Sequence, residues 1–368
     1  MIEKEKKMLK IRMGTFDPLK GLLIISVVVG HALSHYNISE RSLLSVLSLP
    51  LYLVGLGAMP AFFLIAGMTF KPKSISTCLK QTSKSMLKYY AITGLCVILL
   101  FPVVYYIRTG WLPSVLEETS RWVLAYLLGV STKDTYFFGY RVYECYVVWF
   151  MPTMFIGINL LNLVLKIKKT YIQVLAVISG GVLGYVMSRV GIPYFFIAQG
   201  LVAQMFCYCG YLVKKIDLFN RAKWTVWVYI FCITCYILQW KMGVVSFAYI
   251  NFVNNFVEFV YALGSGMLLV LLALKVANSK WEAPEWLAKT GMNSLWILCI
   301  HSVELTVFPW EKLVQILPLP QNVIFIIEML AKVAIIVPGC VVLNKITRAK
   351  YKKNKMKKSS ISQKMKGK

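Results

Sequence analysis

Ten apolar stretches, each long enough or nearly so to cross a lipid bilayer, punctuate this chain of 368 residues. They cover residues 19–35, 49–70, 89–107, 146–165, 172–188, 195–213, 224–240, 256–276, 294–310 and 323–343. About 20 apolar residues at ~1.5 Å rise match the hydrocarbon thickness, so each stretch reads as a membrane-spanning helix. Backbone polar groups inside lipid must be satisfied within the segment itself. The expected fold is therefore all-α, a polytopic integral-membrane bundle of about ten transmembrane helices. A shorter apolar piece at 122–130 is open to three readings: interfacial, re-entrant, or an eleventh span.

The charges decide how the spans alternate. Hydrophobic residues make up 58% and charged residues only 15% of the chain, against about 25% charged in ordinary globular proteins. The net charge of +26 invites a nucleic-acid reading, but the basic residues occupy alternate loops rather than one soluble domain. Lys4, Lys6, Lys7, Lys10 and Arg12 precede the first span. Lys71, Lys73, Lys80, Lys84 and Lys88 precede the third. Further basic clusters lie at 166–169, 214–223 and 275–289, and in the tail from 345. The intervening connections hold only Arg41, Arg189, Lys241 and Lys312, with a mixed segment at 108–143. With ten spans this alternation holds throughout and both termini are cytoplasmic; an eleventh would invert it. The chain divides into a transmembrane domain, 1–344, and a basic tail, 345–368, expected to be disordered beside anionic lipid. The charged start has no cleavage site after its first apolar run, so that run is expected to be retained in a plasma-membrane protein. The nine cysteines fall mostly in apolar segments. Cys232 and Cys235 have a metal-like spacing but no second pair, so no metal site is expected.

Three ionisable residues stand out in the first span. Asp17, Lys20 and His31 sit at or inside apolar sequence, where charge is costly and functional by default. Eleven helical steps separate Lys20 from His31, a net rotation of about 20°, and fourteen separate Asp17 from His31, about 40° short of whole turns. All three share one helix face, with His31 roughly 16 Å along the axis from Lys20. His35 follows one turn later. His301 lies inside the ninth span with Glu304 nearly a turn beyond. These are all three histidines of the chain, and each falls within a span or at its edge. Blander readings stand beside each. His31 can be an interior histidine bonded to a carbonyl. Lys20 can snorkel as a topology anchor, and Lys71 and Lys73 can be topology signals. His31 and His35 have a metal-ligand spacing but lack a third ligand on that face. His301 can glue helices together.

Several ordered motifs resemble the acyltransferase 3 family, integral-membrane enzymes that O-acylate sugars and glycans. Asp17-Pro18-Leu19-Lys20-Gly21 followed by His31 is similar to the family's opening. Met59-Pro60-Ala61-Phe62-Phe63 through Gly67 resembles its second span. Trp149-Phe150-Met151-Pro152, Phe206-Cys207-Tyr208-Cys209-Gly210-Tyr211, and Gly291-Met292-Asn293-Ser294-Leu295 with His301 complete the set, in family order over residues 16 to 301. Lys20 stands where arginine is more common, losing a bidentate fork while keeping a cation. Ala66 stands where serine is usual. No additional esterase-like domain is read in the chain, so a one-step transfer is expected.

The resemblance implies transfer of an acyl group, acetyl in the first instance, from acetyl-CoA as donor substrate to a sugar or polysaccharide hydroxyl, with no bound cofactor. His31 is then the general base, since neutral imidazole can take a hydroxyl proton near pH 7. Asp17 orients Lys20, and His301 orients the acceptor or stabilises the oxyanion. Lys20, Lys71, Lys73 and Trp149 are candidate donor contacts. His35, Asn293, Ser294 and Glu304 are candidate acceptor contacts. Asn293 and Ser294 can equally cap the ninth helix, and Trp149 can belong to an interfacial aromatic belt. The expected partners are acyl-CoA, the acceptor glycan, the bilayer and glycan-biosynthesis proteins, with no nucleic acid. The rival class is a proton-coupled transporter of a glycan or small metabolite. Against it stand the absence of a visible half-to-half repeat and the single line of polar groups along one span.

Overall fold

A computed structural model describes residues 11, 14–36, 43–131, 135–192, 194–220, 222–243, 245–250 and 256–366. The described residues are 79% helical with almost no strand. Helix α1 (Asp17–Leu33) begins with Pro18 in its first turn, where the missing N–H leaves nothing unsatisfied. The second apolar stretch, expected as one span, is two helices, α2 (Leu43–Leu56) and α3 (Ala58–Thr69), bent by 49°. Pro60 explains the break. It lacks the N–H that would donate to the Leu56 carbonyl, and the chain turns at Gly57.

The basic segment before the third span is also helical rather than a loop. Helix α4 (Ile75–Thr82) is capped by the Ser74 hydroxyl and passes through a π-helical turn (Ser83–Leu87) into α5 (Lys88–Thr109), 35 residues in all. Helix α6 (Leu112–Leu128) takes up the short apolar piece and packs on α5; Trp122 and Tyr126 are buried while Leu116 and Leu127 face outward. A hairpin of β1 (Thr135–Phe137) and β2 (Tyr140–Val142) follows. Tyr143 then clasps α6 by donating to the Glu118 carboxylate. Burial first, then that bond and charge, push the Tyr143 phenol up to about 12.

A 3-10 turn (Tyr146–Trp149) leads into α7 (Phe150–Val164), then α8 (Thr170–Arg189), α9 (Ile197–Lys215), α10 (Ala222–Met242) and α11 (Glu258–Ala277). Short α12 (Glu285–Met292) breaks at Asn293 into α13 (Ser294–Val307), followed by α14 (Trp310–Ile316) and α15 (Gln321–Lys366). The tail expected to be disordered continues α15, since no proline or glycine interrupts 340–366.

Among the described residues, five helices are long and apolar enough to cross a membrane by themselves, or six if the bent pair α2–α3 is one span. The α13 helix and the described part of α10, Val226–Met242, are apolar but shorter. Outward surfaces are apolar: on α15, Leu330 is 65% exposed while Glu328 and Lys332 are fully buried. Charge inside and hydrocarbon outside is the arrangement lipid enforces.

Two helix crossings are set by glycine pairs. A Cβ on Gly67 of α3 would lie 1.8 Å from the Cys207 carbonyl oxygen, and one on Gly210 of α9 would lie 2.2 Å from that of Leu64. A Cβ on Gly21 of α1 would lie 2.2 Å from the Leu287 carbonyl oxygen, and one on Gly291 of α12 would lie 1.7 Å from that of Asp17. Backbones touch at these points because small residues let helices approach. Beside the first crossing, Phe63 stacks on Phe150 at 5.6 Å and packs near Phe206 and Phe247.

Gly67→Ala and Gly210→Ala are each expected to lower stability by about 1–3 kcal/mol through overpacking, read as a reduced Tm in detergent. Gly180→Ala, whose methyl meets nothing nearer than 3.6 Å, should leave Tm unchanged or raised; equal losses at all three positions would contradict the crossing geometry.

Candidate functional site

A cavity of about 1130 Å³ lies along α1, bounded by α2, α3, α7, α13 and the segment at 245–248. Lys20, His31, Trp149 and Ser294 all line it, so four of the residues singled out in the sequence meet in one space. The helical phase of α1 brings Lys20 and His31 to the same wall, and Lys20 is ion-paired to Asp17 at 2.6 Å. Trp149 is 8% exposed and ends the 3-10 turn that aims α7 at the cavity. The walls are otherwise largely apolar, with Ile24, Met59, Phe62 and Phe150 among them.

His301 stands behind His31 rather than in the cavity. The two rings are 5.6 Å apart, centroid to centroid, and tilted by 51°. His301 has no solvent exposure, and its Nδ1 lies 2.6 Å from Glu304 Oε1. The Glu304 carboxylate also accepts from Lys332 Nζ at 2.9 and 3.0 Å and from the Trp310 indole. An acceptor so placed assigns the proton of neutral His301 to Nδ1 and leaves Nε2 with a bare lone pair. That Nε2 is buried with no hydrogen-bond partner among the described residues.

The remaining candidates fall outside the cavity. His35 and Glu304, read from sequence as acceptor contacts, belong instead to a buried ionic cluster. His35 Nδ1 lies 3.1 Å from Glu328 Oε1, and Tyr36 donates to Glu328 Oε2 at 2.8 Å. Lys332 closes the cluster at 3.3 Å from Glu328. Lys71 and Lys73 lie in the connection between α3 and α4; Lys73 donates to Gln81 at 2.5 Å and Lys71 is exposed. Asn293 occupies the cap position of α13 without a side-chain capping bond; it donates to the Lys289 carbonyl and accepts from Asn344. All nine cysteines are free, and no cluster suited to a metal occurs among the described residues.

Glu328, Lys332 and Trp310 were not singled out in the sequence. The signal was present in α15: a glutamate and a lysine four apart inside an apolar run pair on one helix face.

Fold and site together define a helical membrane protein with one histidine at the wall of an apolar cavity and a second, buried histidine behind it. A family model described as an acyltransferase domain matches residues 14–345. The chain belongs to the acyltransferase 3 family, as the motifs implied. No curated protein and no solved structure matches the chain.

Lys332→Met alone strands two buried carboxylates and is expected to cost about 3–5 kcal/mol, seen as loss of folded, monodisperse protein. Pairing it with Glu304→Gln should recover most of the folded yield. A single variant as stable as wild type would show that the cluster carries no net burden of charge.

Proposed function

We propose that this acyltransferase is an O-acyltransferase, moving an acyl group, with acetyl the simplest case, from cytosolic acyl-CoA to a hydroxyl of a cell-surface or exported sugar polymer. The observation that carries the reading is the shared cavity of Lys20 and His31. The alternation of basic loops supports ten spans in the plasma membrane with both termini cytoplasmic. In that orientation Lys20 faces the cytosol, where the donor is, and His31 lies roughly 16 Å further along α1. A thin pantetheine arm fits such a passage, with Lys20, steadied by Asp17, against an anionic phosphate of CoA. Lys71 and Lys73, outside the cavity, suit a looser role in attracting the donor. Trp149 offers a flat apolar face for sugar or adenine, and Ser294 a hydroxyl at the same wall.

The chemistry follows from the donor and acceptor. His31 takes the proton of the sugar hydroxyl as its oxygen attacks the thioester carbonyl carbon. The carbon–sulfur bond breaks and the thiolate recovers the proton. General base catalysis of this kind contributes typically 10²–10⁴-fold.

Purified protein in nanodiscs, given acetyl-CoA and a sugar acceptor, is expected to release free thiol and form the acylated sugar. His31→Ala should lose about 10²–10⁴-fold in rate at normal folded yield. Lys20→Ala should chiefly raise the donor KM. Full activity without His31 overturns the mechanism. Acceptor movement across the membrane with no thiol release, and no acyl loss from surface glycan on deletion, would favour a transporter.

A further inference from the structure

Resting on the acyl-transfer reading, we propose that His301 acts through His31 as the acceptor of its second ring proton, and that Glu304 and Lys332 are positioning residues that keep His301 in that state. His301 cannot meet the substrates directly. It has no exposure and lies outside the cavity wall. It offers one unoccupied group, the buried Nε2, and its ring lies 5.6 Å from that of His31, centroid to centroid. In the proposed arrangement one His31 nitrogen donates to that lone pair while the other serves the cavity that His31 lines.

The surrounding charges suit this task. From α1 comes His31 and from the turn that follows it His35; from α13, His301 and Glu304; from α15, Glu328 and Lys332. Glu304 is held by Lys332 and by the Trp310 indole, and the Lys332 ammonium lies 4.4 Å from the centre of the Trp310 ring. The carboxylate therefore has one orientation, and with it His301 has one tautomer. When His31 takes the hydroxyl proton at its cavity-facing nitrogen, it becomes a cation in an apolar wall. Its other N–H then donates to His301 Nε2, and the positive charge is spread towards Glu304. The proton returns through His31 to the departing thiolate as the carbon–sulfur bond breaks. The step is balanced: one O–H and one C–S bond are broken, one C–O and one S–H bond are formed, and the cluster ends as it began.

A purely architectural cluster would make different demands, because it needs only that no charge be left unpaired. The double variant E304Q/K332M removes a carboxylate and an ammonium together. Thiol release at saturating sugar acceptor should fall about 10²-fold in kcat in this variant and in Glu304→Gln, with donor KM within twofold of wild type and Tm preserved. His301→Gln, which leaves the Glu304–Lys332 pair in place, should show the same kcat loss, and it decides the matter if the double variant does not fold. Wild-type kcat in either folded variant overturns the proposal. Wild-type protein that releases no thiol overturns the underlying transfer reading instead, so the two failures are told apart.

Discussion

A lysine without solvent exposure, held between two glutamates inside a largely apolar bundle, is the interaction on which the rest of this structure leans. Lys332 meets Glu304 and Glu328, Glu304 meets His301, and Glu328 meets His35 and Tyr36. The turn that follows α1 is tied to α13 and α15 by these contacts. An unpaired charge in such surroundings is costly, so each partner confines the next. The confinement also has a chemical product. His301 is left with one nitrogen engaged and one bare, in a ring 5.6 Å from that of the histidine that lines the cavity.

The glycine crossings do a complementary job. Gly21 and Gly291 let α1 touch α12, and Gly67 and Gly210 let α3 touch α9. Each glycine belongs to one of the motifs that carry the family resemblance, and the motifs meet in pairs. The opening motif with Lys20 lies against the one that leads into His301, and the second-span motif lies against Phe206–Tyr211. Motifs far apart in sequence are thus the two sides of single helix contacts, which bring the cavity walls together.

Much of this was legible in the residues. The apolar stretches mark nearly every helix, because lipid leaves the backbone few other ways to satisfy its amides. Where one stretch became two helices, at α2 and α3, the cause was local and present in the sequence as Pro60. The helical course of the basic segment at 75–88 and of the tail was harder to read. Charge density there says where a segment lies relative to the membrane, not whether its backbone is helical.

The site divides along the same line. Periodicity within one helix placed Asp17, Lys20 and His31 on a common face, and the cavity indeed joins Lys20 to His31. That inference needed only the 3.6-residue turn, a property of the chain alone. The partition of His35 and Glu304 into an ionic cluster, the position of His301 behind His31, and the part played by Glu328, Lys332 and Trp310 depended on how α13, α14 and α15 pack against α1. Those contacts join residues far apart in the chain, so the sequence by itself determined which helices carry the polar groups, while only the tertiary packing decided which of them face the cavity and which face one another.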